Sequence, residues 1–349
     1  MFPENDFMLP LHAIAQAARY FTVPLGVALL LSLAACGGGG DAGDGSAELL
    51  AADEASGTKS ALALSGNRSA TNTLEVDLTI SGHPHKVDVY RPAGATRAIV
   101  FLHGHGGRKW QMAYDLGLNR RMAPPSSRSV DWSWLALNGV IAVFPQGQVK
   151  AGSTQPTWSN YVMDSGQDDV AFLQALSSYV KSQYGVREVS LSGHSAGGTM
   201  SARIWCEATT SYKTFVSMAG PMPSATYPVP SPTCTPLSMA PYYAIMGGKD
   251  STLPKFQAGT TAPTPEQVAA GLTEPYLVSE WVRDRDRGQR ICGETTGLGD
   301  ATAAASGPTW SNCTARVKFT VVSNADHPIA SLAQYAGVRM VDMIAGFAK

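Results

Sequence analysis

Six short, unbroken runs of apolar, β-prone residues recur along the chain, and they limit the folds that it can adopt. Such runs predict parallel strands covered on both faces, because a strand with one solvated face would alternate apolar and polar residues. The runs are AIVFL at 98–102, VIAVF at 140–144, EVSLS at 188–192, TFVSMA at 214–219, YYAIM at 242–246 and VKFTVV at 317–322. Before them, two segments at 74–80 and 86–90 predict an antiparallel pair of strands.

Segments with helical spacing separate several of these strands. Apolar residues recur with a period near that of an α-helix in 168–184, and helices are also predicted over 199–207, 274–284 and 335–347. Two plus six strands with interspersed helices predict a mostly parallel, eight-stranded α/β sheet with helices on both faces. This is a three-layer α/β sandwich.

The first 72 residues do not follow this pattern. The uncharged apolar run 21–35 has the length of a signal-peptide h-region and is too short to span a bilayer comfortably. It ends in LAAC at 33–36, which resembles a bacterial lipobox, so we expect a lipoprotein signal over 1–35 and lipidation of Cys36. A plain secretory signal and a retained helix are the alternatives. The Gly- and Ala-rich segment 36–72 predicts a flexible tether, and 73–349 predicts one folded domain.

The composition excludes several classes of protein. Hydrophobic residues make up 44% of the 349 residues and charged residues 15%, which argues against an intrinsically disordered chain and a multi-span membrane protein. Lys and Arg number 26 against 27 Asp and Glu, so no excess of positive charge attracts nucleic acid. We expect an exported protein, in the cell envelope or outside the cell, that contacts a membrane only through an N-terminal lipid.

Four cysteines remain once Cys36 is set aside, and an even number in an exported chain predicts two disulfides. Three pairings are possible. We favour Cys206–Cys234 with Cys292–Cys313, because each of these bonds closes a single connection outside the predicted sheet. A zinc site is the alternative, but no CxxC spacing is present, so no metal is expected.

The segment GHSAG at 193–197 follows a predicted strand and precedes a predicted helix. This is the context of a G-x-S-x-G turn, in which flanking glycines make room for a strained serine that projects from the surface. Ser195 is therefore the predicted nucleophile. A serine that merely caps the following helix is the alternative, but this would leave Gly193 and Gly197 unexplained.

A serine nucleophile requires a histidine base and a carboxylate that orients it. His327 is the one histidine after Ser195, and it follows the last predicted strand. Asp250, directly after the strand at 242–246, stands where the order Ser, Asp, His predicts the acid. Two other acidic positions, Asp284 and Asp286, are predicted to face water, and Asp326 should point away from its neighbour His327.

A glycine-rich loop, HGHGG at 103–107, follows the strand at 98–102. Its glycines allow backbone amides to approach a ligand, so we expect the amides of His105 and Ala196 to form an oxyanion hole. A metal site at His103 and His105 is a weaker alternative, since no further ligands cluster there. His83 and His85 are interpreted as turn residues.

Over about residues 85–330 the sequence resembles the secreted esterase/polyhydroxybutyrate depolymerase family of α/β-hydrolases, which includes feruloyl and acetylxylan esterases. The similarity is carried by VYRPAGATRAIVFLHGHGG, by DDVAFLQALSSYVKSQYGV leading into VSLSGHSAGGTMSARI, and by MGGKDSTLP. The spacing of Cys292, Cys313 and His327 is also similar. One departure is that NADHP at 324–328 lacks the tryptophan that relatives often carry after the histidine.

The resemblance implies an α/β-hydrolase fold and a serine carboxylic ester hydrolase that needs no cofactor. Hydroxyalkanoate oligomers or short acyl or aryl esters are the expected substrates, with feruloyl or acetylxylan esterase as the close rival. A non-catalytic binding lipoprotein on the same scaffold is the alternative from another class.

Trp158, which resembles a family position near the cleft, is a candidate substrate-binding residue together with His103 and His194, although a loop anchored on the core would also explain it. Asp169 matches an acidic family residue and is expected to cap a helix and anchor a loop. We expect a monomer.

Overall fold

A computed structural model describes residues 71–221, 234, 239–253, 263–294 and 301–349. The predicted signal peptide, Cys36 and nearly all of the predicted tether lie outside these residues. Within them are ten strands, which are β1 (Thr73–Thr79), β2 (Lys86–Arg91), β3 (Arg97–Leu102), β4 (Val140–Pro145), β5 (Glu188–His194), β6 (Phe215–Met218), β7 (Tyr242–Gly247), β8 (Thr302–Ala304), β9 (Gly307–Asn312) and β10 (Val317–Val322).

All ten strands form one sheet in the order β1-β2-β4-β3-β5-β6-β7-β10-β9-β8. The six central strands, from β4 to β10, pair in parallel, whereas the pairs at both edges are antiparallel. The parallel strands are those that the unbroken apolar runs predict. The expected mostly parallel α/β sheet is therefore confirmed.

Helices cover both faces of the sheet. They are α1 (Lys109–Asp115), α2 (Trp132–Asn138), α3 (Asp169–Tyr184), α4 (Ala196–Glu207), α5 (Pro265–Ala269), α6 (Pro275–Cys292), α7 (Ile329–Ala336) and α8 (Met340–Phe347). Buried residues of α3, α4 and α6 share one apolar cluster, and those of α1, α2, α7 and α8 share the other. Strand β3 supplies both clusters, with Val100 in the first and Phe101 in the second. This two-sided burial explains why the strand has no polar position after Arg97.

The described sheet has two more strands than the eight that the sequence predicts. Strands β8 and β9 form an antiparallel hairpin that extends the sheet beyond β10. The three residues of β8 are exposed, and β9 contains Gly307 and Pro308, so neither strand carries a clear apolar pattern. The helix expected over 335–347 is two helices, α7 and α8, because α7 ends at Gly337 with φ 69°.

Helix α6 buries charges that we expected to face water, so this prediction for Asp284 and Asp286 is wrong. Asp284 is fully buried and Asp286 is 9% exposed. The Arg287 guanidinium is also buried; it donates to Glu280 Oε1 at 2.6 Å and contacts Asp284. Burial raises the pKa of Asp284. The paired arginine makes this burial tolerable, because an unpaired carboxylate in the core would be strongly destabilising.

Two disulfides are present, Cys206–Cys234 and Cys292–Cys313, which is the pairing that we favoured. The first links the end of α4 to a residue in the segment before β7. The second joins the end of α6 to the turn between β9 and β10. Disulfides persist in oxidising compartments, which is consistent with export. No helix in the described segments has the length and apolarity needed to cross a membrane.

Replacing the second disulfide with Cys292→Ser/Cys313→Ser should lower the stability of the oxidised protein. The bond closes a loop with a sequence separation of 21 residues. Loops of this kind contribute about 3 kcal/mol to the free energy of unfolding. Thermal unfolding should therefore shift down by roughly 6–12 °C. A double variant whose unfolding midpoint equals that of the oxidised wild type would contradict the expected contribution.

Candidate active site

Ser195 lies in a sharp turn between β5 and α4. Its backbone has φ 54° and ψ −120°, a conformation that L-residues rarely adopt, and its amide donates to Met218 O at 2.8 Å. Strain of this kind persists only where the surroundings enforce it, and it clusters at functional sites. The turn leaves the Ser195 side chain half-buried beside a cavity.

Glycines surround this turn because there is no space for a side chain. A Cβ atom on Gly193 would overlap the carbonyl oxygen of Gly197, and one on Gly197 would lie 2.5 Å from Leu102 O. Gly220, after β6, faces the turn from the other side, and a Cβ there would overlap Ser195 O. Sequence reasoning identified the first two glycines but missed Gly220, which stands outside the motif.

His327 and Asp250 are hydrogen bonded. His327 Nδ1 donates to Asp250 Oδ2 at 2.7 Å. Both residues follow neighbouring parallel strands, β10 and β7, so their loops meet at the same edge of the sheet. The Asp250 carboxylate is fully buried, and its other oxygen accepts from the amides of Thr252 at 2.9 Å and Leu253 at 3.0 Å. These bonds fix the orientation of the carboxylate toward the imidazole.

Asp326 joins the two loops and does not face the imidazole. Its carboxylate accepts from the backbone amide of Ser251 at 2.9 Å and from that of His327 at 2.7 Å. The bond from Ser251 is the largest of the effects that lower the pKa of Asp326. The contacts agree with the expectation that neighbouring side chains diverge. They also hold the Asp250 loop against the His327 loop.

A cavity of about 310 Å³ brings several of the predicted residues together. Ser195, His327, His194, His105 and Gly104 all line it, and Asp250 is buried behind His327. A second cavity, about 720 Å³, lies near the starts of β6, β7 and β10 and contains none of the predicted site residues. The smaller cavity is the candidate site, because it alone of the two adjoins the strained serine.

The His103 side chain holds the glycine-rich loop and has no ring nitrogen left for a substrate. It is 2% exposed; Nδ1 donates to Gly104 O at 2.7 Å, and Nε2 accepts from Gly147 N at 2.9 Å. Burial lowers its pKa to about 4, so the ring is neutral at pH 7. His103 also lines the cavity, so its predicted contact with substrate stays a prediction, although both ring nitrogens are hydrogen bonded within the protein. Its bond to Gly104 orients the peptide whose N–H belongs to His105.

The two predicted oxyanion-hole amides flank Ser195. Ala196 is the first residue of α4, where a helix leaves its amides without intrahelical acceptors. His105 lies in the loop that passes so close that a Cβ on Gly104 would be 3.2 Å from Ser195 Cβ. Among the hydrogen bonds of the described residues, neither amide donates to a protein acceptor. Their role remains a prediction.

Trp158 lies in the core, away from the cavity. Its indole is fully buried, and Nε1 donates to His103 O at 2.9 Å. The nearby Asn160 donates from Nδ2 to Ala196 O at 2.7 Å, and Pro156 O accepts from Gly106 N at 2.8 Å. The structure therefore favours the alternative that this loop is anchored on the core, and the prediction of Trp158 as a substrate-binding residue is wrong. The segment contacts both sides of the predicted oxyanion hole.

Asp169 anchors the segment around Trp158 through its side chain. Its carboxylate is buried and accepts from His85 Nε2 at 2.7 Å and from Ser159 N at 2.6 Å. The expected capping role belongs instead to Asp168, whose side chain accepts from Ala171 N. His85 is not simply a turn residue, because its buried ring also stacks on the Phe172 ring, with centroids 3.7 Å apart. No local sequence signal distinguished it from the half-buried His83.

His194 contacts the loop that carries His327. Its Nε2 donates to the His327 carbonyl at 2.8 Å, and the two ring centroids are 5.0 Å apart. Burial is the main cause that lowers its pKa to about 4, and the neighbouring imidazole adds to this effect. His194 also lines the cavity, so a substrate contact through its other nitrogen stays a prediction.

Among the described residues, Cys292, Glu294 and Cys313 form one group with suitable metal-ligand spacing. The two sulfur atoms are joined in a disulfide, so no thiolate is available to a metal in this state.

No protein-family model matches the sequence, and no curated protein matches it. Among solved structures, the chain is similar to an acetyl xylan esterase from Aspergillus awamori, with 12% identity, 76% of this chain and 99% of that chain covered, and a TM-score of 0.49. It is also similar to an S-formylglutathione hydrolase from Agrobacterium tumefaciens, with 14% identity, 82% of this chain and 98% of that chain covered, and a TM-score of 0.45. A dienelactone hydrolase from Anabaena variabilis is similar with 14% identity, 79% of this chain and 96% of that chain covered, and a TM-score of 0.41. The similarity to polyhydroxybutyrate depolymerases remains one of sequence motifs.

Gly193→Ala should disrupt the serine turn, because its new methyl group would overlap the carbonyl of Gly197. We expect a loss of about 3 kcal/mol or more in the free energy of unfolding, comparable with overpacking a tight core. Gly346→Ala is the matched control: it lies in α8 with no atom near its Cβ position, and helix propensity should make it neutral or stabilising by up to about 1 kcal/mol. Denaturant unfolding measures both, and equal effects of the two substitutions would contradict this account.

His103 and His194 should remain neutral as the pH is lowered from 8 to 5, because burial lowers both pKa values to about 4. The proton should reside on Nδ1 in His103 and on Nε2 in His194, where each ring donates to a carbonyl. Long-range ¹H–¹⁵N NMR of histidine-labelled protein reports both charge and tautomer. His103→Gln and His194→Gln assign the two signals. A cationic signal for either ring at pH 5.5 would contradict the prediction.

Proposed function

We propose that the chain is a serine carboxylic ester hydrolase with Ser195 as nucleophile, His327 as base and Asp250 as the acid that orients it. One observation carries the proposal. The strained Ser195 shares a cavity with an imidazole whose far nitrogen is bonded at 2.7 Å to a buried carboxylate. A merely structural serine would need neither the strain nor the histidine–aspartate pair beside it.

In the proposed reaction, Ser195 Oγ attacks the ester carbonyl while His327 Nε2 accepts the hydroxyl proton. Asp250 holds the proton on Nδ1, so that Nε2 is free to act as the base, and stabilises the imidazolium. The tetrahedral intermediate collapses as the alcohol leaves with the proton from His327. Water, deprotonated by the same imidazole, then attacks the acyl-enzyme and releases the carboxylic acid and free Ser195.

The negative charge that develops on the carbonyl oxygen requires donors already in place. The amides of Ala196 and His105 are proposed to supply them. Two features support this assignment: Ala196 begins a helix, whose N-terminus favours an anion, and His103 fixes the peptide that carries the His105 amide. No cofactor takes part in the proposed mechanism.

The proposed substrates are hydroxyalkanoate oligomers or short acyl or aryl esters. A cavity of about 310 Å³ is at the small end of ligand sites, which favours a short substrate group. Feruloyl or acetylxylan esterase activity is the alternative within the same chemistry. A binding protein without catalysis is the alternative outside it. Export and lipidation at Cys36 are proposed from the sequence alone.

Ser195→Ala should abolish hydrolysis of a panel of p-nitrophenyl acetate and butyrate, methyl ferulate, acetylated xylan and hydroxybutyrate oligomers. Removing a nucleophile of this kind costs about a thousandfold or more in kcat. Asp250→Asn should lower kcat by up to about four orders of magnitude, because the imidazole is then held in the wrong tautomer. Turnover of the panel by wild type and both variants is the measurement.

Ser182→Ala serves as the matched control, since this exposed serine lies on α3 away from the cavity. It should retain full activity and full labelling by a fluorophosphonate probe, whereas Ser195→Ala should lose both. Folded wild-type protein that neither labels at Ser195 nor hydrolyses any member of the panel would favour the binding protein over the esterase.

A further inference from the structure

The walls of the candidate cavity differ in polarity. One wall is formed by residues at and within α1, which follows the glycine-rich loop; these are Arg108, Gln111, Met112 and Asp115. The spacing 108, 111, 112 and 115 places them on one helical face. The opposite wall is Pro328, Ile329 and Ala330, at the start of α7. A ligand here meets a polar, charged surface on one side and an apolar surface on the other.

Arg108 supplies this cavity with a positive charge that forms no ion pair among the described residues. Its side chain is exposed, and none of the ion pairs among the described residues includes it. None of these ion pairs includes Asp115, the carboxyl group on the same wall, so its carboxylate does not lie within ion-pair distance of the guanidinium. The guanidinium is therefore free to bind an anion, for which its planar donors are suited.

We propose that the substrate carries a free carboxylate, which Arg108 binds while Ser195 attacks the neighbouring ester. This inference rests on the proposed esterase function and narrows its substrate class. It selects hydroxyalkanoate oligomers that end in a carboxylic acid over uncharged alkyl and aryl esters. Arg108 directly precedes α1 and shares the cavity with Ser195, so one short cavity must hold both ester and acid.

The opposite wall fits the same substrate. Pro328 and Ala330 are exposed at the cavity and Ile329 is buried behind them, so this side offers apolar contact to a short alkyl branch. A hydroxyalkanoate unit has an alkyl side chain and, at its terminus, a carboxylate separated from the ester by two carbons. Hydrolysis at that ester consumes one water and releases the terminal hydroxy acid and a shortened oligomer acid. The position of Arg108 therefore predicts cleavage at the acid end of the chain.

The test compares the linear dimer of 3-hydroxybutyrate with its terminal carboxamide, which differs only in lacking the negative charge. Wild type should cleave the free acid with a kcat/KM about tenfold higher, the size expected for a hydrogen bond to a charged group at an exposed site. Arg108→Gln should remove this preference, and Arg108→Lys should keep part of it. In wild type, 0.5 M NaCl should reduce the ratio, since salt screens the pair.

Arg187→Gln is the matched control. It removes the same charge from an exposed position directly before β5, at the amino ends of the parallel strands and away from the cavity. This variant should keep the wild-type ratio of kcat/KM for the acid to that for the carboxamide. A wild-type enzyme that cleaves both dimers equally well, or an Arg108→Gln variant that keeps the preference, would overturn the inference while leaving the esterase intact. If neither dimer nor p-nitrophenyl acetate is cleaved and Ser195 is not labelled, the proposed function itself fails. Thermal unfolding confirms that each variant is folded.

Discussion

The contact between the turn at Ser195 and the backbone around it is the constraint on which the site depends. Carbonyls from β3 and β6 approach the first turn of α4 so closely that glycine is needed at 197 and 198. This approach places the start of α4 against the carboxyl ends of the central strands. It also holds Ser195 in a conformation that it would not adopt alone. Side chains at these glycines would separate helix from sheet.

Two further groups of contacts orient the surroundings of this turn. The segment around Trp158 and Asn160 bonds to the carbonyls of His103 and Ala196, and thereby ties the glycine-rich loop and α4 to one core-anchored segment. Asp326 joins the loops after β7 and β10. The polar groups of the candidate site are thus held mainly by buried hydrogen bonds to backbone atoms. A site with such support loses little freedom when a ligand binds.

The central strands could be anticipated because fully buried strands leave a simple apolar pattern. The placement of Asp250 and His327 followed from the same logic, since carboxyl ends of parallel strands meet at one edge. The hairpin of β8 and β9 left no such pattern, because it lies at the sheet edge and is largely exposed or polar.

Asp284 in α6 was misassigned for a different reason. Its burial depends on Arg287 across one helical turn and on Tyr242 from β7, whose ring lies 3.7 Å from the guanidinium carbon.

The sequence by itself determined the class of fold, the glycine-flanked serine turn and the chain order of the residues around it, because these depend on local backbone conformation and strand periodicity. Only the tertiary structure decided which polar side chains point into the cavity and which are buried supports. Trp158 resembles a site residue in sequence, yet packing places it within the core, and both ring nitrogens of His103 are hydrogen bonded within the protein. Arg108 had no motif, yet folding brings it to the cavity that Ser195 lines. Burial and charge pairing are properties of distant contacts, which no local pattern encodes.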